Sequence, residues 1–208
     1  MKLAAMTLTE FSETLYSDAP APGGGSAAAL EGVLGASLVG MVAGLTIGKQ
    51  KYEEHEILMQ DIAVKAEALR IKLLDIIDRD TEAFDEVADV FKMPKETDDQ
   101  KSARKKAMQA ALKKCTLVPY ETMCCSLEAL ELAESALGKF NSNAASDIGV
   151  AALSLKAAAQ GAWLNILINI NGIEDAEFAS RYRSAGELIL EKALSIADEV
   201  YNSVRDSL

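Results

Sequence analysis

The feature that most limits how this chain can fold is one row of side chains: Ile62, Ala66, Leu69, Leu73, Ile76, Asp80, Ala83, Val87 and Val90. They are spaced alternately by four and three residues, which keeps one helix face on a partner for several turns, as in a coiled-coil seam. A strand repeats every two residues and cannot produce that row. Every position is apolar except Asp80. A carboxylate in such a seam is desolvated, so it must be paired, protonated or used. One reading is a salt bridge to a facing Lys or Arg, or a polar residue that fixes register. The other is a functional acid, because buried clefts are where carboxylate pKa values are tuned. Asp75, Asp78, Glu82, Asp85 and Glu86 fall off the seam and read as a solvated face.

The rest of the chain is punctuated helix. A capping box, Thr7-Leu8-Thr9-Glu10, opens a short helix ending near Ser17. The breaker from Asp18 to Ser26 precedes an Ala/Gly helix reaching Gly48. The seam helix is expected from about Tyr52 to Phe91, stopped by Pro94. Thr97-Asp98-Asp99 caps a helix to Leu117, Pro119 restarts the chain as a first helical residue, and Gly138 ends that segment. Lys139 to Ser146 reads as a loop, Asp147 to Ile170 as an apolar helix closed by Asn171-Gly172, and Glu174 onward as an amphipathic helix. The expectation is an all-α fold: a single domain, 1–208, of long antiparallel helices.

Three of these segments carry unusual faces. Gly32, Ala36, Gly40, Gly44 and Gly48 recur every four residues in the Ala/Gly helix, and each glycine weakens a helix by about 1 kcal/mol against Ala. Such a stripe lets two backbones approach, within the core or between subunits. A seam helix of about 60 Å is also long for a core of this size. Both point to a symmetric homodimer that buries the stripe and the seam against a second copy. In the second polar-striped helix, Asp147, Ala151, Ser154, Ala158, Gly161, Asn165 and Asn169 share a face. Asp147 sits where a carboxylate complements the helix dipole, so a capping role and a chemical one both remain open. Asn165 and Asn169 need partners from another helix or a ligand. Gly23-Gly24-Gly25-Ser26 presents free N–H groups at a helix start, as anion sites do, but lacks the Gly-Lys-Ser/Thr of a nucleotide phosphate loop.

Composition removes several classes. Acidic residues number 32 against 21 basic, for a net charge of −11, and no basic run offers a nucleic-acid surface. The three cysteines and the lone histidine, His55, fit neither a disulfide framework nor a metal set. Reduced thiols suit a cytoplasmic protein, and the opening Met1-Lys2-Leu3-Ala4-Ala5-Met6 is too short in apolar residues for a signal peptide. Ser26 to Gly48 approaches membrane-spanning length, but its Ala and Gly content, with no second span, favours a buried helix over a membrane one.

Together the segments resemble a known family. Ala19-Pro20-Ala21-Pro22-Gly23-Gly24-Gly25-Ser26-Ala27-Ala28-Ala29-Leu30 and Met41-Val42-Ala43-Gly44-Leu45-Thr46-Ile47-Gly48-Lys49-Gln50-Lys51-Tyr52 are similar to the formiminotransferase-cyclodeaminase C-terminal domain family. Asp80-x3-Phe84, Val118-Pro119, the run Asn143-x2-Ser146 to Ala152, and Asn165-x3-Asn169 fit it in order. The departures are Ala21, where the family usually has Thr, and Gln50, where it has a third lysine.

The resemblance implies a dimeric, all-helical enzyme of tetrahydrofolate one-carbon metabolism. Such enzymes convert 5-formiminotetrahydrofolate to 5,10-methenyltetrahydrofolate and ammonia, or hydrolyse the methenyl form to 10-formyltetrahydrofolate. No formiminotransferase domain accompanies the helices in this sequence. The folate is a substrate, with or without a polyglutamate tail, and no metal is required. Asp80 takes the proton-transfer or cation-stabilising role, with Asp147 as its partner. Gly23, Gly24, Gly25, Ser26, Asn143, Asn165 and Asn169 contact substrate, and Lys49 and Lys51 attract the anionic glutamate tail. The alternative is a non-enzymatic helical assembly module, which accounts for the glycine stripe but gives Asp80, Asn165 and Asn169 no purpose.

Overall fold

A computed structural model describes residues 2–208; Met1, part of the amino-terminal reading above, lies outside them. Among the described residues there are six α-helices: α1 Leu8–Tyr16, α2 Gly24–Thr46, α3 Glu56–Lys92, α4 Asp98–Ala136, α5 Ala145–Ile170 and α6 Ala176–Ser207. Short 3-10 turns occupy Leu3–Ala5, Gln50–His55 and Ser142–Ala144, and there is no strand among the described residues. The all-α expectation holds. The Thr7–Glu10 capping box forms at α1, and a second, Thr97 with Gln100, opens α4.

Helix α2 runs antiparallel to both α3 and α5, with α4 and α6 completing the bundle. The seam is real, but its partner is α2 of the same chain. Leu73 is fully buried above Gly32, where a Cβ would lie 2.9 Å from Leu73 Cδ2, and Gly40 faces Ala66. Burying a leucine of this kind stabilises the fold by about 1.5–3 kcal/mol. The glycine stripe therefore seats α3 on α2 within the chain, correcting the expectation that stripe and seam close a dimer. Gly44 and Gly48 alone on that stripe meet nothing within 4 Å.

Three boundaries differ from expectation for local reasons. Gly48, at φ +74°, turns the chain after α2, and Tyr52 is non-helical at φ −119°, so α3 starts at Glu56. Pro119 does not restart a helix; α4 runs through it without a break. A proline removes the N–H that would bond the carbonyl four residues earlier. That carbonyl, on Cys115, instead accepts from the Asn169 side chain at 2.8 Å. Asp78 also departs from the solvated face: it is 7 % exposed, accepts from the Ala4 N–H and lies 3.8 Å from the Lys2 ammonium.

Nor is the Ala/Gly helix alone in being long and apolar enough to cross a membrane: the segment Ser142–Ile170 is as well. Both pack one face into the bundle. Each leaves the other face open, with Leu34, Met41 and Leu45 exposed on α2 and Val150, Leu153, Leu164 and Ile168 on α5.

Candidate functional site

Where α2 begins, the sequence supplies no capping side chain: its N-cap is Gly23. The free N–H groups and the positive end of the helix dipole face α3, and Asp80 fills that position from across the interface. Ser26 Oγ donates to Asp80 Oδ2 at 2.9 Å and lies 3.4 Å from Thr81 Oγ1. The fit depends on Gly25, where a Cβ would stand 2.6 Å from Asp80 Cγ.

Burial is the largest influence on Asp80 and pushes its pKa above the ordinary 3.8; the Ser26 hydroxyl and N–H pull the other way without cancelling it. No cation contributes to that balance, so the salt-bridge reading of this seam carboxylate falls. Asp80 is a desolvated acid held by a hydroxyl and a helix terminus. It opens onto a cleft of about 260 Å³ lined by Pro20, Gly23 to Gly25, Thr81, Phe84, Cys115, Asn165, Ile168 and Asn169.

Phe84 and Ile168 are exposed, at 40 % and 75 %, and give the cleft an apolar lip that a flat ring can lie against. Asn165 Nδ2 donates to the Gly161 carbonyl of its own helix, leaving its Oδ1 beside Gly24. Asn169 spends its amide on the Cys115 and Asn165 carbonyls, so its first duty is to the backbone that Pro119 interrupts. Burial pushes the Cys115 thiol up to about 11 and its Sγ donates to the Ala83 carbonyl, so it lines the cleft as a neutral group. Sequence reasoning missed Thr81, Cys115 and Ile168. Only Cys115 had a legible signal, standing four residues before a proline inside a helical pattern.

The remaining predicted residues lie elsewhere. Lys49 and Lys51 are exposed beyond the far end of α2, about 35 Å from Gly25 at 1.5 Å per residue. Asn143 and Asp147 share that far end, because α5 runs antiparallel to α2 and starts where α2 stops; Asn141 bonds Leu45 and Thr46 there. Asp147 is therefore not the partner of Asp80 within a chain, which corrects that expectation. Tyr52 joins this second group, its phenol bonded to Ser142 and drawn down to about 8 by the Ser142 hydroxyl, then its N–H, then Lys51. One cluster thus has the acid, the helix terminus and the cleft, and the other has the cations.

The chain matches the formiminotransferase-cyclodeaminase family model over residues 7–187. It is 42% identical over 204 residues to a methenyltetrahydrofolate cyclohydrolase of Methylorubrum extorquens, covering 97% of each chain. It is 33% identical over 189 residues to a formimidoyltransferase-cyclodeaminase of Sus scrofa, with 89% of this chain but 34% of that protein covered. It therefore spans about a third of that relative. A crystal structure of formiminotetrahydrofolate cyclodeaminase from Thermotoga maritima superposes with a TM-score of 0.81 at 28% identity, covering 99% of this chain and 96% of that one.

Proposed function

This chain belongs to the formiminotransferase-cyclodeaminase family, and from that premise we propose that it hydrolyses 5,10-methenyltetrahydrofolate to 10-formyltetrahydrofolate. It is an enzyme of folate one-carbon conversion. The choice of the hydrolytic step is supported by the 42% identity, over nearly the full length of both chains, to a methenyltetrahydrofolate cyclohydrolase. The observation that carries the chemistry is Asp80, a desolvated carboxylate without an ion pair at the mouth of a cleft.

The methenyl carbon sits between N5 and N10 in a cationic, amidinium-like unit. An unpaired carboxylate attracts that cation and stands ready for a water attacking it. As the water oxygen bonds to the carbon, Asp80 takes its proton. The carbon–N5 bond then breaks, N5 keeps the electron pair and gains a proton, and the formyl group stays on N10. One proton is released overall. Positioned proton transfer contributes about 10²–10⁴-fold. The Ser26 hydroxyl and N–H at the α2 N-terminus favour the ionised form of Asp80 and offset part of its desolvation, and Phe84 with Ile168 flanks the planar ring system. The family resemblance gives a homodimer, and the exposed faces of α2 and α5 support one.

A second reading, cyclodeamination of 5-formiminotetrahydrofolate, is favoured by the Thermotoga maritima structure. The same acid would take the N10 proton as N10 closes on the formimino carbon and would return it to the departing ammonia. One experiment separates the two. Purified protein is added to 5,10-methenyltetrahydrofolate, and near-ultraviolet absorbance is followed against the protein-free rate. A second cuvette starts from 5-formiminotetrahydrofolate. Faster loss of methenyl absorbance in the first supports hydrolysis; methenyl formation with ammonia release in the second only would transfer the function to the deaminase reading.

A further inference from the structure

The direction of an asparagine amide follows from what its nitrogen meets, because a backbone carbonyl can only accept. Asn165 Nδ2 donates to the Gly161 carbonyl at 2.8 Å. Asn169 Nδ2 donates twice, to the Cys115 carbonyl at 2.8 Å and to the Asn165 carbonyl at 2.7 Å. Both nitrogens are turned onto backbone, and both residues line the Asp80 cleft, so each presents its oxygen to it. Among the described residues nothing donates to either Oδ1, and no buried side-chain oxygen lacks a partner, so both oxygens are open. The direction of Asn169 is set from outside the cleft, by the carbonyl that Pro119 leaves without a donor.

The other side chains of the cleft add few donors. Asp80 accepts from Ser26, Cys115 spends its thiol proton on the Ala83 carbonyl, and no lysine or arginine lines the walls. Such a wall holds a ligand through the ligand's own N–H groups. The order of groups is more specific still. A Cβ on Gly24 would lie 3.8 Å from Asn165 Oδ1. The Gly24 N–H, which has no intrahelical acceptor in the first turn of α2, therefore stands beside that oxygen. Asn169 follows four residues further along α5, about 6 Å away along the helix axis. The wall thus offers a donor, an acceptor and a second acceptor. One edge of a reduced pterin carries the 4-oxo acceptor, the N3–H and the 2-amino group, in that order. The two rows are complementary.

We propose that Asn165 and Asn169 read the pterin ring, Asn165 Oδ1 accepting from N3–H and Asn169 Oδ1 from the 2-amino group, and so make the cleft selective for a 2-amino-4-oxo ring. The proposal rests on the folate reading and extends it from the reacting carbon to the ring that carries it. Asp80 stands over Gly25 and Asn165 over Gly24, neighbours whose Cα atoms lie about 3.8 Å apart. The acid and the amides can therefore engage different edges of one bicyclic ring, which holds the methenyl carbon against Asp80. A ring without the amino group leaves an amide oxygen unmatched, and a site built for a hydrogen bond rejects the analogue that lacks it.

Tetrahydrofolate lacks the reactive carbon, so its binding reports recognition of the ring apart from the chemistry. Its dissociation constant is measured by calorimetry beside that of 2-desamino-2-methyltetrahydrofolate, for the wild type, Asn165→Ala and Asn169→Ala. The wild type is expected to bind the desamino analogue about tenfold more weakly, from the loss of one matched hydrogen bond. Asn165→Ala should weaken both ligands alike and keep that preference, whereas Asn169→Ala should erase it. If Asn169→Ala does not fold, the double variant Pro119→Ala with Asn169→Ala takes its place, because α4 then regains its own donor for the Cys115 carbonyl.

Equal binding of the two ligands by the wild type would overturn the proposal, as would a full preference surviving in Asn169→Ala. Turnover separates it from the functional reading. A wild type that turns over neither folate but shows the preference loses the reaction and keeps the ring contact. One that hydrolyses 5,10-methenyltetrahydrofolate without any preference keeps the reaction and loses the contact.

Discussion

The Asp80 carboxylate lies where a side chain on residue 25 would have to be: a Cβ on Gly25 would stand 2.6 Å from both Asp80 Cγ and Oδ2. Helix α2 begins with glycine at this point so that an acid from α3 can rest on its first turn. Gly25→Ala must displace the carboxylate or the helix end. The expected result is a loss of at least tenfold in kcat/KM with helix content by circular dichroism unchanged, since alanine favours helix by about 1 kcal/mol over glycine. Normal activity in this variant would show that the contact does not set the position of the acid.

Asn169 and Pro119 form a second linked pair. Pro119 takes the N–H from the Cys115 carbonyl, and Asn169 Nδ2 replaces it at 2.8 Å. Asn169→Ala leaves a buried carbonyl without a donor, which costs about 1–3 kcal/mol. In a Pro119→Ala background the helix regains its own donor, and Asn169→Ala should cost measurably less. Urea unfolding of the four proteins gives the coupling. Equal costs in both backgrounds would separate Asn169 from the proline.

The pKa of Asp80 also sets a dependence of stability on pH. Burial raises it above 3.8, so the native state holds this proton more tightly than the unfolded chain. The resulting stabilisation is full below 3.8 and is lost as pH rises through the raised native value. Asp80→Asn escapes that loss. Its melting temperature is expected to exceed the wild type's at pH 7, and the gap should narrow on acidification. A gap that stays constant or widens in acid would mean that the carboxylate is favoured by the fold.

Much of this was legible in the sequence because period and punctuation are local. The seam from Ile62 to Val90 gave α3 its buried face, the capping boxes gave two helix starts, and the single acid in the seam proved to be the acid in the cleft. What could not be read was which helix the seam meets, since α2 and a second copy offer the same small residues to it. Pro119 misled for a related reason. Its helix survives through a bond from Asn169 to the Cys115 carbonyl, a pair fifty-four residues apart in the chain, which no local pattern contains. Asp147 was assigned to Asp80 on its helix position, and the antiparallel course of α5 carries it to the opposite end.

The central claim is that Asp80 moves the proton in folate hydrolysis, and the rate of Asp80→Asn on 5,10-methenyltetrahydrofolate tests it most directly. The amide keeps the size and the Ser26 contact while removing basicity and charge. Turnover is expected to fall by about two orders of magnitude or more, as for the loss of a general base, in a protein that melts no earlier than the wild type at neutral pH. Near-normal turnover with a lowered melting temperature would contradict the account and make Asp80 a structural cap for α2.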